Sequence, residues 1–380
     1  MKNVQPEGFL QRRSNRRSFL KDGAIAAGAA SMGAALLSGR PWAALAESEH
    51  GGPPITKGDI AILRFLSAIE QVETDLWQQY SELGGTQDNE ISGVNGGNSV
   101  YTAALQILDG DMPQYIHDNT DDEISHHRFL NNYLASKGAR GVDLRHFATL
   151  PSSTAEGAHQ RGRLTNLTQL TIDTTFWSRY RSITNPDFDP GATFVPAVPS
   201  LAEGRHTAIP RSNDDTAGSS LSADNTKSIT THLQAIAFTA GFHFAFIEQG
   251  GSSLYPTLAL KVTNLEVLRI LLSIDTDNGP GGTGASVTFA TLSEAQGETT
   301  PESLKGDTLQ ANLIMPEPCH FIDKKLGPVS IIRPIGEAFS GAVNAVKSLQ
   351  ADGLFMDQSP RFIELLLELA AEADDAKREL

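Results

Sequence analysis

Residues 228–249 and 256–274 are apolar nearly all the way round a helix, and few folds can accommodate two such segments. The first carries Leu233, Ile236, Phe238, Phe242, Phe244, Phe246 and Ile247; the second carries Leu258, Leu260, Val262, Leu265, Val267, Leu268, Ile270, Leu271 and Leu272. A helix without a polar face belongs in a protein interior or a bilayer. His232, His243, Lys261, Glu266 and Arg269 fall inside the segments, and only residues 250–255 separate them. The pattern therefore predicts a buried helical hairpin.

Two amphipathic helices precede that pair. In 58–83, Ile62, Leu66, Ile69, Leu76 and Tyr80 recur at three- and four-residue spacing, and Gly84-Gly85 closes the run. Residues 113–136 form the next, with Pro113 in the first turn and Lys137-Gly138 after the last. A shorter helical piece is expected at 101–108. Residues 139–227 are rich in Pro, Gly, Ser, Thr, Asn and Asp and are too long for a simple connection. A strand at 169–172 and a helical turn at 175–180 are expected within this stretch, which has the character of a lid or a partner-binding surface. Beyond residue 276, strands at 287–290, 309–314 and 329–332, a helix at 335–349 and a terminal helix over 360–380 are expected. Gly281 to Gly284 lacks the strand-to-helix context of a phosphate-binding loop. The fold class is all-α, with a helical body over 58–276, an insertion at 139–227 and a C-terminal extension over 277–380.

The N-terminal 46 residues resemble a twin-arginine export leader. Arg16-Arg17 precede Ser18-Phe19-Leu20-Lys21, a small-residue apolar run reaches Leu37, and Ala44-Leu45-Ala46 offers a small-x-small cleavage site. The apolar run is shorter than the roughly 20 residues of a spanning helix. The resemblance implies passage through the twin-arginine machinery to the periplasm or the extracellular space, in a folded state. After residue 46 the chain carries 23 Lys/Arg against 43 Asp/Glu. So acidic a surface repels phosphate backbones, which excludes nucleic acid as a partner class. Cys319 is the single cysteine, so no disulfide can form within the chain. A homo-oligomer is among the states the sequence allows.

Glu123-Ile124-Ser125-His126 places a carboxylate and an imidazole three residues apart, on one helix face. That face is the stripe of Ile116, Leu130 and Leu134, where a carboxylate needs a partner or a metal ion. Glu70 and Glu73, in Ile69-Glu70-Gln71-Val72-Glu73-Thr74-Asp75-Leu76-Trp77, lie on or beside the apolar stripe of the first helix. Glu317-Pro318-Cys319-His320 is poor geometry for chelation, and no Gly-x-Ser-x-Gly elbow supports a hydrolase.

Ile69, Glu70-x-x-Glu73 and Trp77 on one helix, with Glu-x-x-His on the next, resemble the exported ferritin-like proteins, including those called desiccation-related, which carry an aromatic pair where this chain has Leu76-Trp77. The resemblance implies a ferritin-like four-helix bundle with Glu70, Glu123, His126 and Glu266 as metal ligands. Glu73, His232 and His243 are further candidates. It departs from the family in two places. Glu266-Val267-Leu268-Arg269 has arginine where histidine is expected, and guanidinium does not ligate metals; Arg269 would instead pair with Glu266. The third long helix has Glu248 as its only acid, at its predicted end. The resemblance implies iron or manganese binding, with oxygen or peroxide chemistry, in a stress-type protein. A metal-free bundle acting as an envelope scaffold stands beside it. A full di-metal oxidase or catalase-type dismutase would need substitutes such as His159 or His206. Whether the chain is an enzyme stays open at this level.

The leader yields the first prediction. Replacing Arg16 and Arg17 together by lysine is expected to leave full-length precursor inside the cell, scored by immunoblot of cell fractions. Export of shortened protein by that variant would remove the twin-arginine assignment.

Overall fold

The computed structural model describes residues 54–379, except 171, 173, 175–195, 197, 199–200, 202–204, 224–225, 276–316, 319–327 and 330–340. The leader, the helical turn at 175–180, the strands at 287–290 and 309–314, and Cys319 fall outside the described residues. What is described is predominantly helical, as the periodicity predicts. The helices are α1 (Lys57–Gly84), α2 (Ser99–Leu108), α3 (Met112–Ser136), the single turn α4 (Asn213–Thr216), α5 (Thr231–Ala259), α6 (Leu265–Asp275), α7 (Ala342–Ala351) and α8 (Pro360–Asp374). Two antiparallel two-residue ladders accompany them, Ser220–Leu221 with Lys227–Ser228 and Glu317–Pro318 with Pro328–Val329. No described helix is long and apolar enough to cross a membrane.

Helix α1 starts at a capping box. Thr56 accepts from the Asp59 amide, and the Asp59 carboxylate accepts from the Thr56 amide. The other Asp59 oxygen accepts from Thr263 N at 2.9 Å, which ties the start of α1 to the turn before α6. Nearly all of α1 is buried, because α3, α8 and α2 pack around it and α5 meets it through large side chains. Trp77 stacks on Phe244 of α5 with centroids 4.9 Å apart, and Tyr80 meets the same ring edge-on at 4.7 Å.

The predicted hairpin is corrected. Residues 250–255 do not turn; α5 runs unbroken through Gly250, Gly251 and Pro256 to Ala259, and the reversal comes at 260–264. Glycine costs a helix interior about 1 kcal/mol and proline about 3 kcal/mol. Burial of Leu254, Tyr255 and Leu258 on the core outweighs that propensity. Helix α5 ends at Ala259, and Asn264, whose side chain accepts from Glu266 N at 2.8 Å, caps the start of α6. The strand expected at 169–172 is absent among its described residues, since Gln169 lies in a turn. At 329–332 only Val329 is described as strand, and of 335–349 the described part is helical from Ala342.

The long connection after α3 is anchored by one buried ion pair. Glu82, near the end of α1, accepts from Arg163 Nη2 at 2.6 Å, with both side chains almost wholly buried, and Arg161 reaches the same carboxylate from the surface. Asp75 does comparable work about two turns earlier, accepting from the backbone amides of Leu164 and Thr165 at 3.0 and 2.9 Å. Arg163→Met is expected to destabilise the protein by about 3 kcal/mol in urea denaturation, the low end for stripping one partner from a buried pair because Arg161 still reaches Glu82. A loss under ~1 kcal/mol would show that the pair does not anchor the segment.

Candidate metal centre

Helices α1 and α3 face each other along most of their length, and both place acids on the shared face. Glu70 is 1% exposed, Glu123 3% and His126 7%. His126 Nδ1 lies 3.2 Å from Glu70 Oε2 and 3.3 Å from Glu123 Oε2. One ligand atom from each of the three residues falls within 4.8 Å of the others. The i,i+3 spacing that joins Glu123 to His126 in the sequence thus converges with Glu70 in space.

The structure adds two residues that the sequence pattern passed over. The Tyr255 hydroxyl donates to Glu70 Oε1. Glu248 is buried and accepts from the Tyr115 hydroxyl at 3.1 Å. Both stand on α5 seven residues apart, hence on one face and about 10 Å along the axis. The sequence places Glu248 at a helix end and Tyr255 in the connection between two helices, because Gly250-Gly251 and Pro256 resemble punctuation. The signal that identifies them is the two-turn spacing itself, visible only if the helix is allowed to continue.

The electrostatics follow from burial of several acids beside one imidazole. Burial opposes ionisation of Glu70, but hydrogen bonds from Glu123, His126 and Tyr255 and the attraction of His126 outweigh it and hold Glu70 below its ordinary value. Glu123 is pushed well above its ordinary value by burial and then by the Glu70 and Glu73 charges. Glu73 rises likewise, through burial and the repulsion of Glu70 and Glu248. Burial also raises the Tyr255 hydroxyl, which stays a donor. The centre thus sets a carboxylate whose pKa is lowered beside two acids whose pKa values are raised.

The other expected residues lie elsewhere. Glu266 does not join the centre; it sits on the surface, where Lys137 Nζ lies 2.7 Å and the Tyr133 hydroxyl 2.9 Å away. The expected Glu266–Arg269 pair is corrected too, because Lys137 takes the close contact and Arg269 adds only a weaker attraction. The reason is rotational: Val267, Ile270, Leu271 and Ile274 take the buried face of α6, which turns Glu266 and Arg269 outward. His243 is buried on α5, but its Nδ1 lies 2.7 Å from the Tyr80 hydroxyl. Burial lowers its pKa to about 3, so it is neutral there. His232 lies at the start of α5, with Nε2 2.9 Å from Asp215 and Nδ1 3.0 Å from His206 Nδ1. His159 binds the Asn95 carbonyl and Glu82, and supplies nothing to the centre. His127 turns to Thr74 Oγ1 at 3.0 Å.

Comparison with protein-family models, with curated proteins and with solved structures finds no match for this chain.

The raised acids give a signed pH dependence. Above the ordinary glutamate value of 4.5, the folded metal-free protein binds protons at Glu73 and Glu123 that the unfolded chain releases. Its stability should therefore fall as pH rises from there through the folded values; Glu70, shifted the other way, costs stability only as acid protonates it. Glu123→Gln keeps the shape and removes one such group. The metal-free variant is expected to melt higher than wild type at about pH 8 and to show a shallower slope above about pH 5. Equal slopes would refute the raised Glu123.

Proposed function

We propose that this chain is an exported ferritin-like protein of stress or desiccation type, which holds one iron or manganese ion between Glu70, Glu123 and His126. The observation that carries this reading is the charge imbalance of the interior. Four acids, Glu70, Glu73, Glu123 and Glu248, are buried around a single imidazole, and three of the five groups offer donor atoms within 4.8 Å of one another. Two carboxylates and one imidazole suit a first-row divalent ion. A cation supplies the charge that the residues themselves lack, whereas the metal-free centre must retain protons to be tolerated.

Glu248 supports the resemblance where the sequence pattern had left a gap, since it brings an acid to the interior from the third long helix. The outward turn of Glu266 and Arg269 limits the reading to one ion, because α6 brings no second Glu-x-x-His to the centre. A bound iron or manganese ion would supply redox reactivity toward oxygen or peroxide. Around it, Tyr255 orients Glu70 through its hydroxyl. Glu73 and Glu248 can store and return protons at the margin of the centre, and Trp77, Tyr80, Tyr115 and Phe244 form an aromatic wall that excludes water from one end. The leader supports passage through the twin-arginine route, whose cargo is already folded.

A second reading has its own observation. His126, Glu70, Glu123 and Tyr255 satisfy one another's polar groups, so the same cluster can close as a structural knot in a metal-free scaffold. Metal content separates the two. Protein recovered after export in its own host is expected to contain about one iron or manganese per chain by elemental analysis. Chelation should lower Tm, because a ligand present at about 100 times its Kd stabilises the fold by about 2.7 kcal/mol. Rebinding should release protons from the acids, read as a buffer-dependent enthalpy in calorimetry. His126→Gln should abolish all three effects. Metal-free native protein whose Tm ignores chelator would leave the scaffold.

A further inference from the structure

A second group of metal-ligating side chains lies outside the interior centre, where the loop between α1 and α2 crosses α3. Asp88 and Glu90 on that loop and His117 on α3 each offer a ligand atom within 4.8 Å of the others. The two acids face solvent, but His117 is 2% exposed. Its Nε2 points at Asp88 Oδ1, 3.2 Å away. Outside the group it makes no hydrogen bond, for its Nδ1 is buried without a partner and Asp118 Oδ1 stands 3.8 Å off. A buried imidazole with Nε2 aimed at Asp88, and with the Asp118 carboxylate near its other nitrogen, presents a nitrogen donor to the two loop acids, and a bound cation would take the place of the Nε2 proton shared with Asp88. Glu90 is drawn in by its own backbone, whose amide donates to Asp88 Oδ1 at 2.8 Å.

The loop is docked on α3 by independent contacts. Thr86 N donates to the Pro113 carbonyl at 3.0 Å, and Ile91 and Val94 pack on Ile124 in a small apolar cluster of their own. Ile124 sits beside Glu123, so the loop buttresses the turn of α3 that presents Glu123 and His126. The rest of the loop is held by the end of α1 and by the connecting segment, through Gln87 to the Ser81 carbonyl, Gly97 N to the Glu82 carbonyl, and His159 and Arg161 to the Asn95 and Gly93 carbonyls, whereas the three ligands bridge the loop to α3 itself.

We propose that Asp88, Glu90 and His117 form a separate divalent-cation site, suited to a borderline ion such as zinc, which clamps the 86–98 loop onto α3. The nitrogen ligand disfavours calcium and magnesium, which take oxygen donors. The site uses no residue of the interior centre and stands whether or not that centre binds metal.

The test uses the full chain carrying Glu123→Gln, which removes an interior ligand, with and without the added pair Asp88→Asn and Glu90→Gln. Both added positions are exposed, so the variant is expected to fold, with circular dichroism as the check. Zinc titration by calorimetry and amide hydrogen exchange over residues 86–98 are the readouts. Zinc is expected to bind the Glu123→Gln protein and to slow exchange in the loop, while magnesium does neither. Adding the pair should weaken zinc binding by more than about 100-fold, beyond the roughly 10–100-fold that loss of a supporting group costs, and abolish the exchange effect. Zinc affinity or loop protection unchanged by the pair would overturn the site, as would no zinc binding by the Glu123→Gln protein. Failure of the interior reading has a different signature, namely loss of nothing on His126→Gln, so the two results are separable.

Discussion

The structure depends on how acids are kept in the interior between α1, α3 and α5. Glu70, Glu73, Glu123 and Glu248 are removed from water, and each would unfold its surroundings if it were charged and alone. Hydrogen bonding solves part of the problem, through His126 between two carboxylates and through the Tyr115 and Tyr255 hydroxyls. Retained protons on Glu73 and Glu123 solve another part. The three helices must hold their mutual rotation for either solution to work, and the aromatic contacts of Trp77 and Tyr80 of α1, Tyr115 of α3 and Phe244 of α5 help to fix it.

The same helix, α1, also organises the irregular segment that follows α3. Along one side it presents Glu70 and Glu73 to the centre. Along another it presents Asp75 and Glu82, which bind backbone amides and the buried Arg163 of the connecting segment. Glu70, Asp75 and Glu82 thus each have distinct partners, and an apolar helix of equal length could hold neither the centre nor the connection. This division explains why so acidic a helix can be almost wholly buried.

The acids of α1 and the Glu123-x-x-His126 pair could be read from spacing, since i,i+3 geometry is local and survives any packing. Glu266 could not be placed, because its pattern was equally local but the rotation of α6 is set by Val267, Ile270 and Leu271 against the core. Glu248 and Tyr255 were hidden by a different effect. Gly250, Gly251 and Pro256 have the composition of a turn, and only the burial of Leu254, Tyr255 and Leu258 keeps the helix going. Propensity is a sum of about 1 to 3 kcal/mol terms, and a few buried side chains at about 1.5–3 kcal/mol each exceed it.

By itself the sequence determined the helical class, the ends of α1 and α3, and the pairing of Glu123 with His126, because caps, periodicity and i,i+3 neighbours are properties of a few consecutive residues. Only the tertiary structure decided that Glu70 meets their group, that Tyr255 reaches it from α5 while Glu248 is buried against Tyr115, and that Glu266 faces Lys137 at the surface. Those outcomes rest on which helix continues and how far each is turned about its axis, and both are settled by burial between segments distant in the chain.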